Sequence, residues 1–232
     1  MAEQRYWVRH IESFVDSSSS PAQQTVSVDA VVSLVKNGSL TVEALVREME
    51  MYLTITDHTI RAKGILLLGE VLACLASKPL DSTTLHSLIG FFTERLEDWK
   101  ALCGALVGCL ALLRRNSKAG MVLSSDAKVV AQSFLRNQQV QVLGQHDRKL
   151  CFELLECLLD RYADAVAVLG DDLVHGICAA IDGEKDPQCL VHTFHIVELL
   201  AQLFPDPSAS VAGFAGELFE ILGSYFPIHF TH

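Results

Sequence analysis

Much of what a chain of 232 residues could carry is missing from this one. It contains no G-x-x-x-x-G-K-[ST], G-x-G-x-x-G, G-x-S-x-G or H-E-x-x-H. The loops that cradle phosphate, the elbow that exposes a nucleophile and the helix that holds catalytic zinc are therefore absent, and no enzyme activity is expected. The 7 cysteines are odd in number and form no C-x-x-C pair, which speaks against a disulfide framework and for reduced thiols. Basic residues are short, with Lys and Arg at 18 against Asp and Glu at 28, a formal net charge of -10. Such a field repels phosphate backbones, so direct nucleic-acid binding is not expected. The longest apolar runs, Ile65 to Leu68 and Ala101 to Leu113, fall short of the roughly 20 residues that cross a bilayer. Glu3, Arg5, Arg9 and Glu12 break up any leader-like stretch at the N-terminus. The expected location is inside the cell, in cytoplasm and nucleus, away from membranes.

What the chain has is aliphatic bulk. Half its residues are hydrophobic and only 7% aromatic, and the 6 prolines fall at helix boundaries rather than inside apolar runs. One pattern recurs: a polar turn followed by an amphipathic helix of about four turns. The copies begin at Asp57, Asp98, His146 and Asp186, each an N-cap candidate. With Ile60, Leu102, Leu150 and Leu190 taken as the first buried aliphatic of each copy, the spacing is close to the roughly 40 to 47 residues of HEAT and armadillo repeats. Cys103 and Cys109 map onto Cys151 and Cys157 at the same offset, which reads as equivalent core positions. Partner helices are predicted over Val42 to Leu53, Asp81 to Leu96, Asp126 to Val140 and Asp171 to Ile181. A hairpin alone cannot bury both faces, so the expected fold is an all-α, HEAT/armadillo-like right-handed α-solenoid.

Residues 1–40 read as a helical capping element: a helix near Arg5 to Val15, a flexible Ser17 to Pro21 break, and a helix from Val28 to Lys36 ended by Asn37-Gly38. Residues 41–232 hold the repeats, the last incomplete. There Val211, Phe214, Ala215, Leu218, Phe219 and Leu222 form an apolar stripe with no second helix after it, which suggests a piece of something longer.

Candidate chemistry is thin. Cys189, His192 and His195 are spaced by three along one helix, but three such ligands spread too widely for one ion unless a neighbouring helix adds another. They read as ordinary helix-face residues, and no metal or cofactor is expected. Glu153 with Glu156, and Glu217 with Glu220, read as solvated faces. The most distinctive local segment is Asp182-Gly183-Glu184-Lys185-Asp186-Pro187. Asp-Gly tolerates positive φ and Pro187 suits a first helical turn. It reads as an inter-helix turn or, functionally, as a partner contact on the rim.

Several of these segments together resemble one family. Val35-Lys-Asn-Gly with Thr41-Val42, Arg61-Ala62, Arg95-Leu-Glu-Asp98, Gln145-His-Asp-Arg148, Asp182 to Pro187, and Tyr225-Phe-Pro-Ile with Phe230-Thr231 are similar, in order and spacing, to the N-terminal region of the methyl-methanesulfonate-sensitivity family of DNA repair and transcription proteins. His229 looks like a plant member. The resemblance implies a long HEAT-repeat scaffold of which this chain is the first quarter or so. It also implies a role in targeting cytosolic iron-sulfur cluster assembly, with assembly subunits and client apoproteins such as helicases and polymerases as partners. The resemblance further implies that docking to the assembly machinery belongs to C-terminal repeats, expected to lie beyond this stretch. A generic HEAT adaptor, of transport or phosphatase type, shares the same repeat physics.

Overall fold

The computed structural model describes residues 6–205 and 214–225. Among these residues there are twelve α-helices and no strand, so the all-α expectation holds. No helix is long and apolar enough to cross a membrane. The chain forms two compact units, Met1–Leu123 and Ser124–His232.

The first unit runs α1 (Tyr6–Val15), α2 (Pro21–Lys36), α3 (Val42–Thr54), α4 (His58–Cys74), α5 (Ser82–Arg95) and α6 (Leu102–Leu113). Asp57 and Asp81 cap α4 and α5, each carboxylate accepting two backbone amides, and Thr41 caps α3. α3 pairs with α4 and α5 with α6, while α1 and α2 pair with each other and lean on α4. The serine-rich stretch is shorter than its composition suggests. Ser20 and Gln23 form a reciprocal capping box and Pro21 occupies the first turn, so α2 starts there and not at Val28.

The closest packing is α4 on α6, and glycine makes it possible. A Cβ on Gly104 would sit 2.6 Å from the Leu66 nitrogen, and one on Gly69 3.0 Å from the Gly104 oxygen. Gly108 faces the buried Phe92 ring, where a Cβ would be 2.2 Å away. The two backbones therefore touch with almost no side chain between them.

The second unit runs α7 (Ser124–Asn137), α8 (Gln145–Arg161), α9 (Ala163–Ala167), α10 (Asp171–Ile181), α11 (Pro187–Leu203) and α12 (Phe214–Gly223). Its helices form two rows, α7, α10 and α12 in one, α8 and α11 in the other. This is the stacked-hairpin layering that the repeat predicts.

Several details depart from the sequence reading. Asp98 and His146 do not cap their helices: α6 starts after a tight turn at Ala101, and α8 follows Gly144. α7 ends at Asn137, and Val140–Val142 form a separate 3-10 turn. Of the four register residues only Leu102 is buried; Ile60, Leu150 and Leu190 are half-buried, and in the last two copies the neighbouring Cys151 and Cys189 take the fully buried place. Cys151 is buried whereas Cys103 is half-buried, so that pair is not equivalent, although Cys109 and Cys157 both lie inside. Among the described side chains of α12, Leu218 and Ile221 are buried, Leu222 is half-buried and Phe219 is 78% exposed, so Phe219 does not join the buried face the stripe predicts for it. Val211, His229 and the stretch 226–232 lie outside the described residues.

Candidate partner-binding turns

The Asp182 to Pro187 turn is tied down from inside. Gly183 takes φ +73, a left-handed conformation that suits a residue without Cβ. The chain then turns Glu184 inward, with its side chain only 3% exposed. Arg148 of α8 donates Nε to Glu184 Oε2 at 2.8 Å, and the amides of Lys185 and Asp186 each donate to Oε1 at 2.8 Å. Arg148 Nη1 meanwhile donates to the Leu143 carbonyl at 2.9 Å. Burial raises the Glu184 pKa, but the Arg148 bond and the two amides outweigh it and hold the carboxyl below its ordinary value. Asp186 caps α11 by accepting the Gln188 and Cys189 amides, and Pro187 fills the first turn. Gln141 Nε2 closes the end of α10 on the carbonyls of Ala179, Ala180 and Asp182. Of the six residues offered as a partner contact, Asp182, Gly183, Lys185 and Pro187 are exposed, Asp186 is half-buried, and Glu184 faces the interior.

The same device occurs in the first unit. Arg61 sits four residues after the N-cap of α4, as Arg148 does in α8. It donates Nε to Asp98 Oδ2 at 2.8 Å and Nη1 to the Ile55 carbonyl at 2.8 Å. Burial pushes the Asp98 pKa up, and the Arg61 bond and charge bring it below the ordinary value. In both units a helical arginine thus joins its own preceding loop to a carboxylate 37 or 36 residues on, in the turn that leads to the next stacked helix. The turn of the first unit also carries Trp99, 75% exposed, with the Lys100 ammonium 4.1 Å from its ring centroid. The sequence reading passed over Trp99, Arg61 and Arg148 as chemistry, since a single arginine at a helix start has no motif of its own.

Glu184→Ala should lower unfolding stability by about 2 to 3 kcal/mol, because it leaves a largely buried Arg148 guanidinium and two amides without their acceptor. Glu184→Gln should cost less. A depressed carboxylate pKa contributes stability that is present above the ordinary 4.5 and lost as pH falls through the lower folded value. Urea midpoints of Glu184→Gln and the parent chain should therefore differ at about pH 7 and converge toward about pH 3. A gap independent of pH would show that the carboxylate charge is not what the turn uses.

The clamp side chains Arg61, Asp98, Arg148 and Glu184 all fall in segments that carry the family resemblance, and comparison with known proteins bears that resemblance out. The family described as Dos2-interacting transcription regulator of RNA-Pol-II, the MMS19 N-terminal family, matches residues 46–232. The chain belongs to this family. Among its relatives, the MMS19 nucleotide excision repair protein homolog of Arabidopsis thaliana is 56% identical over the whole chain. The homologs of Homo sapiens and Dictyostelium discoideum are 32% and 26% identical over 90% and 95% of the chain. Identity to the plant relative exceeds that to the human one, in keeping with a plant-like member of the MMS19 family. The chain spans about a fifth of the length of these relatives.

Proposed function

We propose that the chain is a protein-binding scaffold segment without a catalytic centre, acting in DNA repair and transcription through delivery of cytosolic iron-sulfur clusters to client apoproteins such as helicases and polymerases. Its partners are proteins, clients and assembly subunits, and its place is cytoplasm and nucleus. The observation that carries the reading is how the polar side chains are spent. Asp57, Asp81, Asp98, Glu184 and Asp186 are engaged as caps and clamps, which stiffens the helix stack and leaves exposed turns as the binding surface. The repair and transcription roles in the printed descriptions of the family and its relatives point the same way. The thiols suit a carrier that leaves cluster ligation to others: burial pushes Cys109 up to about 12 and Cys189 up to about 11, and raises Cys151 as well.

Capture from cell extract tests this. The 232-residue chain should recover iron-sulfur client apoproteins, and Trp99→Ala or Lys185→Ala should reduce recovery severalfold with the melting temperature unchanged, since an exposed Trp is the kind of side chain that dominates binding. Recovery of transport receptors or phosphatase subunits in place of iron-sulfur clients would refute the assignment.

A further inference from the structure

Where α1, α3 and α4 meet, the first unit holds a cavity of about 500 Å³ lined by three carboxylates. Glu12 comes from the last turn of α1, Asp16 from the residue after that helix, and Asp57 from the cap of α4. Asp57 spends Oδ1 on the Thr59 and Ile60 amides, and Asp16 spends Oδ1 on the Ser18 amide and hydroxyl. Among the described residues, none donates to Oδ2 of either aspartate or to the Glu12 carboxylate. The Ser18 amide, and then its hydroxyl, hold the Asp16 carboxyl below its ordinary value, so it stays ionised. Two cations close by are already engaged, Arg61 by Asp98 and Lys63 by the backbone carbonyl of Asp16, from where the Lys63 charge offsets only part of the three. Half-buried Tyr52, near the end of α3, walls the cavity, and burial followed by the Glu12 charge raises the pKa of its hydroxyl. A Cβ on Gly64 would meet the Tyr52 carbonyl oxygen at 2.9 Å and the Tyr52 Cβ at 3.1 Å, so α3 rests directly on α4 and the wall is fixed.

We propose that this cavity receives an arginine side chain presented by a partner protein. Its volume admits one, since cavities of roughly 300 to 1,000 Å³ are those that hold ligands. Charge selects a cation, because three carboxylates around one hollow focus a negative potential there. Their spacing selects which cation. Glu12, Asp16 and Asp57 do not converge closely enough to share a metal ion. A guanidinium, by contrast, spreads its charge over a plane of N–H donors and reaches separate acceptors, whereas a lysine ammonium is a compact, strongly hydrated point charge. Tyr52 supplies an aromatic ring of the kind on which that plane stacks, and Val15 and Ile60 supply apolar surface for the methylene stem. The cavity uses neither Trp99 nor Lys185, so it stands or falls apart from the iron-sulfur reading.

The test is an NMR titration of the isotope-labelled 232-residue chain with an acetylated, amidated Gly-Arg-Gly tripeptide. Saturable shifts are expected at the amides of Ser17, Tyr52 and Thr59. Glu12→Gln should weaken binding roughly two- to fivefold, the scale of one exposed charge pair. Asp57→Asn should do the same, since it removes the charge and keeps a good helix cap. Glu12 is exposed, so its replacement tests the cavity even if Asp57→Asn disturbs α4. Raising salt from about 0.1 M to about 1 M should weaken binding further. The lysine tripeptide should bind less tightly, and the citrulline tripeptide, of similar shape without the charge, should not saturate. Free arginine, which carries its own carboxylate, should also bind less tightly, and this separates a partner's side chain from a small metabolite. No saturable shifts, binding unchanged in Glu12→Gln, or citrulline equal to arginine would overturn the cavity as a cation site. Equal binding of lysine would overturn the guanidinium assignment, and tighter binding of free arginine would overturn the protein partner.

Discussion

Gly90→Ala and Gly104→Ala, the same chemical change in two helices, should move stability in opposite directions. Gly90 lies on an exposed part of α5 with nothing within 4 Å of its added Cβ. Its replacement should stabilise by roughly 0.5 to 1 kcal/mol through helix propensity alone. At Gly104 the new carbon would lie 2.6 Å from the Leu66 nitrogen and 2.8 Å from its Cα, so the obstacle is backbone that cannot rotate away. α4 and α6 would have to separate along their length, and the dispersion contacts of Ile65, Leu68, Ala105 and Leu112, all fully buried, would loosen with them. A net loss of about 3 kcal/mol is expected, overpacking exceeding the propensity gain. Melting curves of the two variants decide it. If Gly104→Ala stabilises as Gly90→Ala does, the two helices do not touch as described.

Leu154→Asp should be more damaging still. Leu154 in α8 and Leu106 in α6 are both fully buried, so a carboxylate at either place gives up its hydration. The aspartate must either stay protonated inside or drag the helix outward, and a loss above about 4 kcal/mol is expected. Leu150→Asp, one turn earlier on α8 at a half-buried position, should lose about 1 to 2 kcal/mol. Equal losses at Leu150 and Leu154 would restore the register read from sequence, in which Leu150 was the first core residue of its repeat.

That comparison also marks what the sequence discloses. Helix period and cap chemistry are local, so α3, α5 and α10 appear within about two residues of their true ends, and Asp57 and Asp186 cap as their positions suggest. Which turn of a helix is covered depends on the neighbouring hairpin, so the periodicity alone does not distinguish half-buried Ile60, Leu150 and Leu190 from core positions. The glycine contact of α4 with α6 is likewise a property of two helices at once. In α6, Gly104 and Gly108 look like weak points of an apolar helix until the partner backbone is placed against them. At the rim, the distinctiveness of Asp182 to Pro187 was visible, but its reason was not: the Glu184 carboxylate is needed inside by an arginine 36 residues earlier. Glu156 shows the converse, since a residue assigned to a solvated face proves to be shared by two histidines from the next stacked helix.

The two arginine clamps bear on how these hairpins open. In a stack held by apolar contact alone, each repeat can fray with little reference to the next, and amide protons exchange repeat by repeat. Arg61 ties the loop before α4 to the turn before α6, and Arg148 ties the loop before α8 to the turn before α11. Pulling either loop loose exposes a guanidinium and strands a carboxylate one repeat away. Amides near Ile55 and Ala101 should therefore share one opening free energy, as should those near Leu143 and Cys189, and Arg61→Leu should uncouple the first pair in a hydrogen-exchange experiment. Each clamp makes two neighbouring hairpins a single cooperative unit, so a partner that grips one rim turn is resisted by the stability of both.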